Sequence, residues 1–216
     1  MAKLIFRYGV MGSSKSTNLL EVAHNYNQAG KNVLIMKPQI DTKGDKNIVS
    51  RLGVSRLVDF IIKPTTEIGN KVIDFMGSKK IHCVLIDEIQ FLEVEQIDQL
   101  FHIAKDLNIP VICYGLRTDY MQRGFKASER LLLLADSIEE LKTICCNCGN
   151  HKATMHMMAK NGEMQLEGSQ INIDNSDEIE YFSVCGDCLL SFKHTLNMEE
   201  HLKELDKKFT KHLEEL

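Results

Sequence analysis

No apolar run in the 216-residue chain approaches the ~20 residues that a membrane-spanning helix needs. The N-terminal segment also lacks the long apolar region of a signal peptide, so no membrane partner is expected and a cytoplasmic location is the default. Missing too is any strongly basic domain or arm: 26 Lys and Arg stand against 30 Asp and Glu, a net charge of −4. That balance argues against nucleic acid as a partner, and any polyanion has to be met locally. Seven cysteines without a secretion signal favour reduced thiols or metal ligation over a disulfide frame.

What is present suffices for a packed core. Apolar residues make up 44% and charged residues 26%, and the length suits one medium domain with or without a small appendage.

The stretch from Lys3 to Thr17 organises the rest. Lys3-Leu4-Ile5-Phe6-Arg7-Tyr8 is rich in β-branched and aromatic residues and predicts a short buried strand. It runs into Gly9-Val10-Met11-Gly12-Ser13-Ser14-Lys15-Ser16-Thr17, followed by Leu19, Leu20, Val22 and Ala23 at helical spacing and by Gly30 as a stop. Strand, glycine-containing loop, Lys-Ser and helix is the layout of a phosphate-binding P-loop, in which backbone N–H groups and a helix N-terminus hold phosphate oxygens. On that reading Lys15 grips the β/γ-phosphates and the Ser16 hydroxyl ligates Mg²⁺. The pattern asks for glycine where Ser14 stands, and a positive φ there would cost serine roughly 1 kcal/mol. A surface turn before an ordinary helix is the competing reading.

Further along, Asn32 to Met36 predicts a second buried strand ended by Lys37-Pro38, and residues 39 to 56 predict a polar loop carrying Lys43, Lys46, Arg51 and Arg56. Leu57 to Ile62 predicts a third strand. Thr66 is expected to cap a helix whose one face carries Ile68, Val72, Ile73, Phe75 and Met76. Strands separated by helices of this length make a parallel α/β sheet with right-handed crossovers.

The apolar strand from Ile81 then delivers two adjacent carboxylates, Asp87 and Glu88, where a parallel sheet opens into its ligand crevice. Asp87 is read as the Mg²⁺ partner of the P-loop, and Glu88 as free for proton transfer. Solvated acids at a loop start are the competing reading. A helix from Val94 to Leu107, a strand from Ile109 to Tyr114 and a loop to Phe125 follow. Tyr120 and Phe125 on that loop could sandwich a flat ring. A short helix from Ser128 to Ala135 precedes an amphipathic strand from Ser137 to Ile144 that is expected to lead away from the sheet.

The composition changes near Thr143. Cys145 with Cys148 and Cys185 with Cys188 form two C-x-x-C knuckles, each turning two thiolates toward one point. Four thiolates complete the closed shell of structural Zn²⁺, leaving Cys146 spare and no open position for catalysis. Strands are expected at Ala153 to Met158 and Glu180 to Val184. The last segment, Met198 to Leu216, carries a stripe of Leu202, Leu205, Phe209, Leu213 and Leu216.

Taken in order, Lys15-Ser16-Thr17, Ile86-Asp87-Glu88-x-Gln90-Phe91, Cys113-Tyr114-Gly115-Leu116-Arg117-Thr118-Asp119-Tyr120, Leu141-Lys142-Thr143-Ile144-Cys145 and Tyr181-x-Ser183-Val184-Cys185 resemble the type II thymidine kinases, bacterial members in particular. The resemblance implies a P-loop (RecA-like) α/β domain over residues 1–143, a zinc ribbon with a nucleoside-covering lasso over 144–195 and a helical tail over 196–216. It implies transfer of the ATP γ-phosphate to the 5′-hydroxyl of thymidine or deoxyuridine for pyrimidine salvage, with Glu88 as the base. Gly9, Met11, Gly12, Ser13, Ser14, Lys15, Ser16, Thr17, Asp87 and Gln90 would bind Mg-ATP. Met11, Phe91, Leu116, Tyr120, Phe125 and Thr154 would wall in the base, and Tyr181 would belong to the lasso. A homotetramer inhibited by thymidine triphosphate is implied as well. The sequence departs from the family pattern at Ser14, at Asp174-Asn175 in the lasso, and at Met121, with Arg123 the nearest basic residue. A P-loop ATPase and a nucleic-acid-binding zinc ribbon are the alternatives from other classes.

Overall fold

The computed structural model describes residues 1–41, 45–50, 53–170, 179–196 and 198. The strands β1 (Leu4–Tyr8), β2 (Val33–Pro38), β5 (Phe60–Ile62), β6 (Cys83–Ile86), β7 (Val111–Gly115) and β8 (Ser137–Glu140) form one sheet in the order β5-β2-β6-β7-β1-β8. Every neighbouring pair is parallel. Continuous apolar runs such as Cys83-Val84-Leu85-Ile86 are buried on both faces, as a helix-covered parallel sheet requires.

The helices α2 (Ile68–Met76), α3 (Val94–Asp106) and α4 (Lys126–Leu134) cover one face, where Ile68, Ile97, Leu100 and Leu131 pack on Phe6, Leu34, Ile86 and Val111. The helix α1 (Lys15–Gln28) covers the other, with Leu19, Leu20 and Ala23 against Ile35, Leu85 and Ile112. Parallel pairing sends the C-terminal ends of β1 and β6 to one edge of the sheet with only β7 between them. The phosphate loop and the paired acids therefore share an edge.

After residue 140 the chain builds a three-stranded antiparallel sheet, β10-β9-β11, from β9 (Met155–Lys160), β10 (Glu163–Gln165) and β11 (Ile179–Val184). The residues from 186 to 196 are helical.

Several expectations are corrected. Residues 39 to 56 are not wholly loop, because β3 (Asn47–Val49) and β4 (Ser55–Leu57) pair antiparallel. The strand expected over Leu57 to Ile62 is split, since the Asp59 carboxylate turns aside to accept the Ile35 N–H at 2.8 Å. Lys37-Pro38 continues β2 instead of ending it, and Pro38 lies beyond the last β6 rung at Met36 and Ile86, so its missing N–H breaks no bond to β6. Thr66 closes a turn by accepting the Lys63 N–H, while Glu67 takes the helix cap position. Ile73 and Met76 lie exposed on α2 while Ile68 and Val72 are buried. The strand from Ile81 stops at Ile86, and residues 89–91 form a single 3-10 turn. The strand at 137 does not lead away; it joins the sheet as β8 beside β1. Lys43, Arg51, Asp174-Asn175 and the stripe from Leu202 to Leu216 lie outside the described residues.

Candidate active site

The loop after β1 is shaped by steric needs at named positions. A Cβ on Gly9 would stand 2.3 Å from Ser13 Oγ and 2.4 Å from the Leu141 carbonyl, so no larger residue fits there. Gly12 has φ 78°, and Ser14 follows at φ 62°, ψ 27°, with no hydrogen bond from its side chain to the helix it caps. Ser14 therefore occupies the left-handed region that the loop pattern reserves for glycine.

Lys15 opens α1 and is buried, its Nζ donating to the carbonyls of Gly9 at 3.0 Å and Val10 at 2.9 Å. Ser16 Oγ donates to Asp87 Oδ2 at 2.8 Å, which ties the loop to the end of β6. Asp87 is buried, and that burial raises its carboxyl above the ordinary range, with the neighbouring Glu88 charge adding to the rise. Ser16, Lys15 and the Glu88 N–H act in the opposite direction.

Glu88 sits at φ 50°, ψ 42° and remains half-buried. Its Oε2 accepts from Gln90 Nε2 at 2.6 Å, and Gln90 Oε1 in turn accepts the Leu116 N–H at 3.0 Å. A Cβ on Gly115 would stand 2.6 Å from that Gln90 oxygen, so glycine at the end of β7 is what lets the amide reach in. Both ends of Gln90 are thus engaged by protein, and its geometry suits holding Glu88 better than touching a nucleotide.

An open cleft of about 380 Å³ joins these groups. Met11, Gly12, Ser14, Lys15, Ser16 and Thr17 form one side, Glu88 and Gln90 the floor, and Phe91 and Leu116 an apolar wall. Phe91 meets Phe125 edge to face with ring centroids 6.1 Å apart. Tyr120 is buried behind them, its hydroxyl so close to Gly168 that a Cβ there would lie 2.5 Å away. Thr154 borders a separate small cavity with Gly9 and His156, and Tyr181 lies half-buried on β11 opposite Met158. Neither lines the large cleft.

Two groups escaped the sequence reading. Asp41 and Val49 reach the rim of the cleft, Asp41 through an ion pair at 3.0 Å with the fully buried Lys37, whose Nζ also donates to the Asn47 carbonyl. His156 and Ser183 touch the phosphate loop at Met11. The Pro38 turn just before Asp41 was a usable signal for the first group, whereas an isolated His on an alternating strand gave none for the second.

In the ribbon, the sulfurs of Cys145, Cys148, Cys185 and Cys188 all lie within 4.8 Å of one another, and Cys148 to Cys185 is 3.9 Å. Tetrahedral Zn–S bonds of about 2.3 Å place sulfurs about 3.8 Å apart, so the four thiols fit that ion. Burial alone would push the Cys145 thiol up, but the N–H groups of Cys148, Cys185 and Asn147 outweigh it and bring it down to about 6. The Asn147 amide also favours the thiolate of Cys188, yet its cysteine neighbours push that thiol up to about 12. Four crowded thiolates repel one another unless a cation joins them. Cys146 is exposed and outside the cluster.

Comparison with known proteins places this geometry in context. The family model described as thymidine kinase matches residues 2–189. A thymidine kinase of Francisella tularensis subsp. tularensis is 43% identical over 190 residues, spanning 86% of this chain and 95% of its own length. One of Haemophilus influenzae is 41% identical over 186 residues, spanning 86% of this chain and 94% of its own. One of Rhodopirellula baltica is 41% identical over 211 residues, spanning 95% of this chain and 96% of its own.

Proposed function

The chain belongs to the thymidine kinase family, and from that premise we propose that it moves the γ-phosphoryl group of ATP onto the 5′-hydroxyl of thymidine or deoxyuridine, supplying the monophosphate in pyrimidine salvage. The observation that carries this reading is one cleft that presents Lys15, Ser16 and Glu88 to the same space beside the apolar wall of Phe91 and Leu116. Phosphoryl transfer demands mostly alignment and charge neutralisation, which these groups supply.

In this mechanism the loop N–H groups and the N-terminus of α1 receive the triphosphate, and Lys15 exchanges the carbonyls of Gly9 and Val10 for phosphate oxygens. Ser16 Oγ and Asp87 Oδ2, hard oxygen donors already 2.8 Å apart, would hold Mg²⁺. The burial that disfavours a bare Asp87 carboxylate is relieved by a cation, which supports this assignment. When bound, that ion neutralises charge on the β/γ-phosphates. Glu88 takes the proton of the 5′-hydroxyl, with Gln90 fixing the carboxylate through its amide N–H. Met11, Phe91 and Leu116 face the base, Phe125 and Tyr120 back this wall, and Thr154 and Tyr181 stand outside the cleft on the ribbon side. Cys145, Cys148, Cys185 and Cys188 would hold structural Zn²⁺, with no position left open for the chemistry.

The same proposal includes a homotetramer, feedback inhibition by thymidine triphosphate, a cytoplasmic location and the division at residues 143 and 195. The family pattern supports these, and among the described residues no helix is long and apolar enough to cross a membrane. Incubation of zinc-loaded protein with ATP and labelled thymidine tests the activity: thymidine monophosphate is expected, and its absence at high enzyme concentration sinks the kinase reading. Rapid phosphate release without nucleoside would instead indicate an ATPase.

A further inference from the structure

Met11, in the middle of the phosphate loop, has both of its backbone polar groups answered from the ribbon. Its N–H donates to His156 Nε2 at 2.9 Å, and its carbonyl accepts from Ser183 Oγ at 2.6 Å. His156 and Ser183 are register partners in the β9–β11 ladder, so a single rung of the ribbon grips a single loop residue from two sides.

A packing role does not account for the imidazole. His156 is 3% exposed, and its Nδ1 makes no hydrogen bond of good geometry and has only a weak backbone contact at Thr118, so an aliphatic side chain would fill the space at lower desolvation cost. What the ring does supply is an acceptor for Met11, with the proton necessarily on Nδ1. The loop has need of it. Gly9 and Gly12 bracket the Val10-Met11 pair, Gly12 at φ 78°, and the backbone bond from the Ser13 N–H to the Val10 carbonyl spans 3.2 Å. A glycine-flanked peptide with few internal bonds keeps one conformation only when something external fixes it.

We propose that His156 and Ser183 are positioning residues for the phosphoryl donor: acting through Met11, this rung holds the N–H groups that follow in the orientation that receives the triphosphate. The inference rests on the kinase reading for what the donor is, and the ribbon becomes a brace for the ATP side of the cleft as well as a neighbour of the nucleoside side.

The test uses the full-length zinc-loaded protein with His156→Leu, His156→Gln and Ser183→Ala. Turnover of ATP and thymidine is measured, together with calorimetric binding of a non-hydrolysable ATP analogue without thymidine. His156→Leu strands a buried N–H and is expected to weaken analogue binding and raise the ATP KM about tenfold. The thymidine KM should rise clearly less than the ATP KM, because the base meets Met11 as one wall residue among several, and zinc per chain should not change. His156→Gln, whose amide oxygen reaches the position of Nε2, should recover most of the loss, and Ser183→Ala should cost about threefold on the same readouts. Unchanged analogue affinity in His156→Leu overturns the proposal. So does a parallel rise of both KM values, or a glutamine variant no better than leucine. Should the leucine variant fail to fold, Ser183→Ala decides by the same split. A wild-type protein that binds the analogue but does not phosphorylate thymidine defeats the kinase reading, and the titration still decides the brace.

Discussion

Replacing Ser14 by glycine should stabilise the protein without tightening its grip on ATP. Ser14 lies at φ 62°, ψ 27°, is exposed, and makes no side-chain bond to the helix it precedes, so the substitution removes strain and almost nothing else. An L-residue held in the left-handed region costs roughly 1–2 kcal/mol, while glycine returns about 0.5–1 kcal/mol through the greater freedom of the unfolded chain. The net gain is about 0.5–1 kcal/mol. For a chain of this length that corresponds to a rise in Tm of about 1–4 °C, read by circular dichroism. Ser14→Ala is the control: it keeps the Cβ and the strain, so its Tm should match wild type. The ATP KM should stay within about twofold, because the strain is present before and after nucleotide binding and cancels between the two states. Equal Tm values for the glycine and alanine variants would refute the strain argument. A several-fold fall in the ATP KM with glycine would show that the loop is not preformed.

Glu88→Gln keeps the Gln90 contact available while removing the proton acceptor, so kcat should fall by about 10²–10⁴ with ATP-analogue affinity within about twofold; unchanged kcat would take Glu88 out of the mechanism. Cys185→Ser should abolish zinc binding, measured as metal per chain, and lower the Tm, whereas Cys146→Ser should change neither, since Cys146 lies outside the cluster. The His156 imidazole is pushed down to about 4 by burial and by the Lys15 charge. Below the ordinary value of about 6.5 the unfolded chain takes up a proton that the native ring refuses, so stability is full above pH 6.5 and falls as the pH drops from 6.5 toward 4, by at most about 3 kcal/mol. Urea unfolding of wild type and His156→Gln at pH 7 and pH 5 checks the sign, and an equal acid loss in both would assign it elsewhere.

What could be read from the sequence was whatever the chain states within a dozen neighbouring residues. The phosphate loop, the Asp87-Glu88 pair and the two cysteine knuckles are contiguous, and the buried strands announce themselves by unbroken apolar runs. The misses involve partners distant in the chain or elements too short to show a period. β8 is amphipathic and looked like a departure from the sheet, yet Ile5 to Tyr8 supply its partners 132 residues earlier. β3 and β4 have three residues each, and their pairing in a polar segment leaves no periodic trace. The bond from Met11 to His156 spans 145 residues, beyond any local pattern.

The pair Asp87-Glu88 shows how one backbone turn divides two identical charges between two tasks. Had β6 continued through them, the alternation of an extended strand would have sent the carboxylates to opposite faces of the sheet. Instead the strand ends at Ile86, and Glu88 adopts φ 50°, a conformation that costs a non-glycine residue about 1 kcal/mol or more. The turn leaves Asp87 directed inward to Ser16, where burial raises its carboxyl and Ser16 and Lys15 act against the rise. It leaves Glu88 half-exposed at the cleft, braced by Gln90 through the Leu116 N–H at the end of β7. Position in the fold, not side-chain chemistry, thus separates the acid proposed to hold metal from the acid proposed to accept the proton. The local strain at Glu88 is offset by the buried strands on either side, Met36 accepting the Asp87 N–H from β2 and Leu116 closing the other flank.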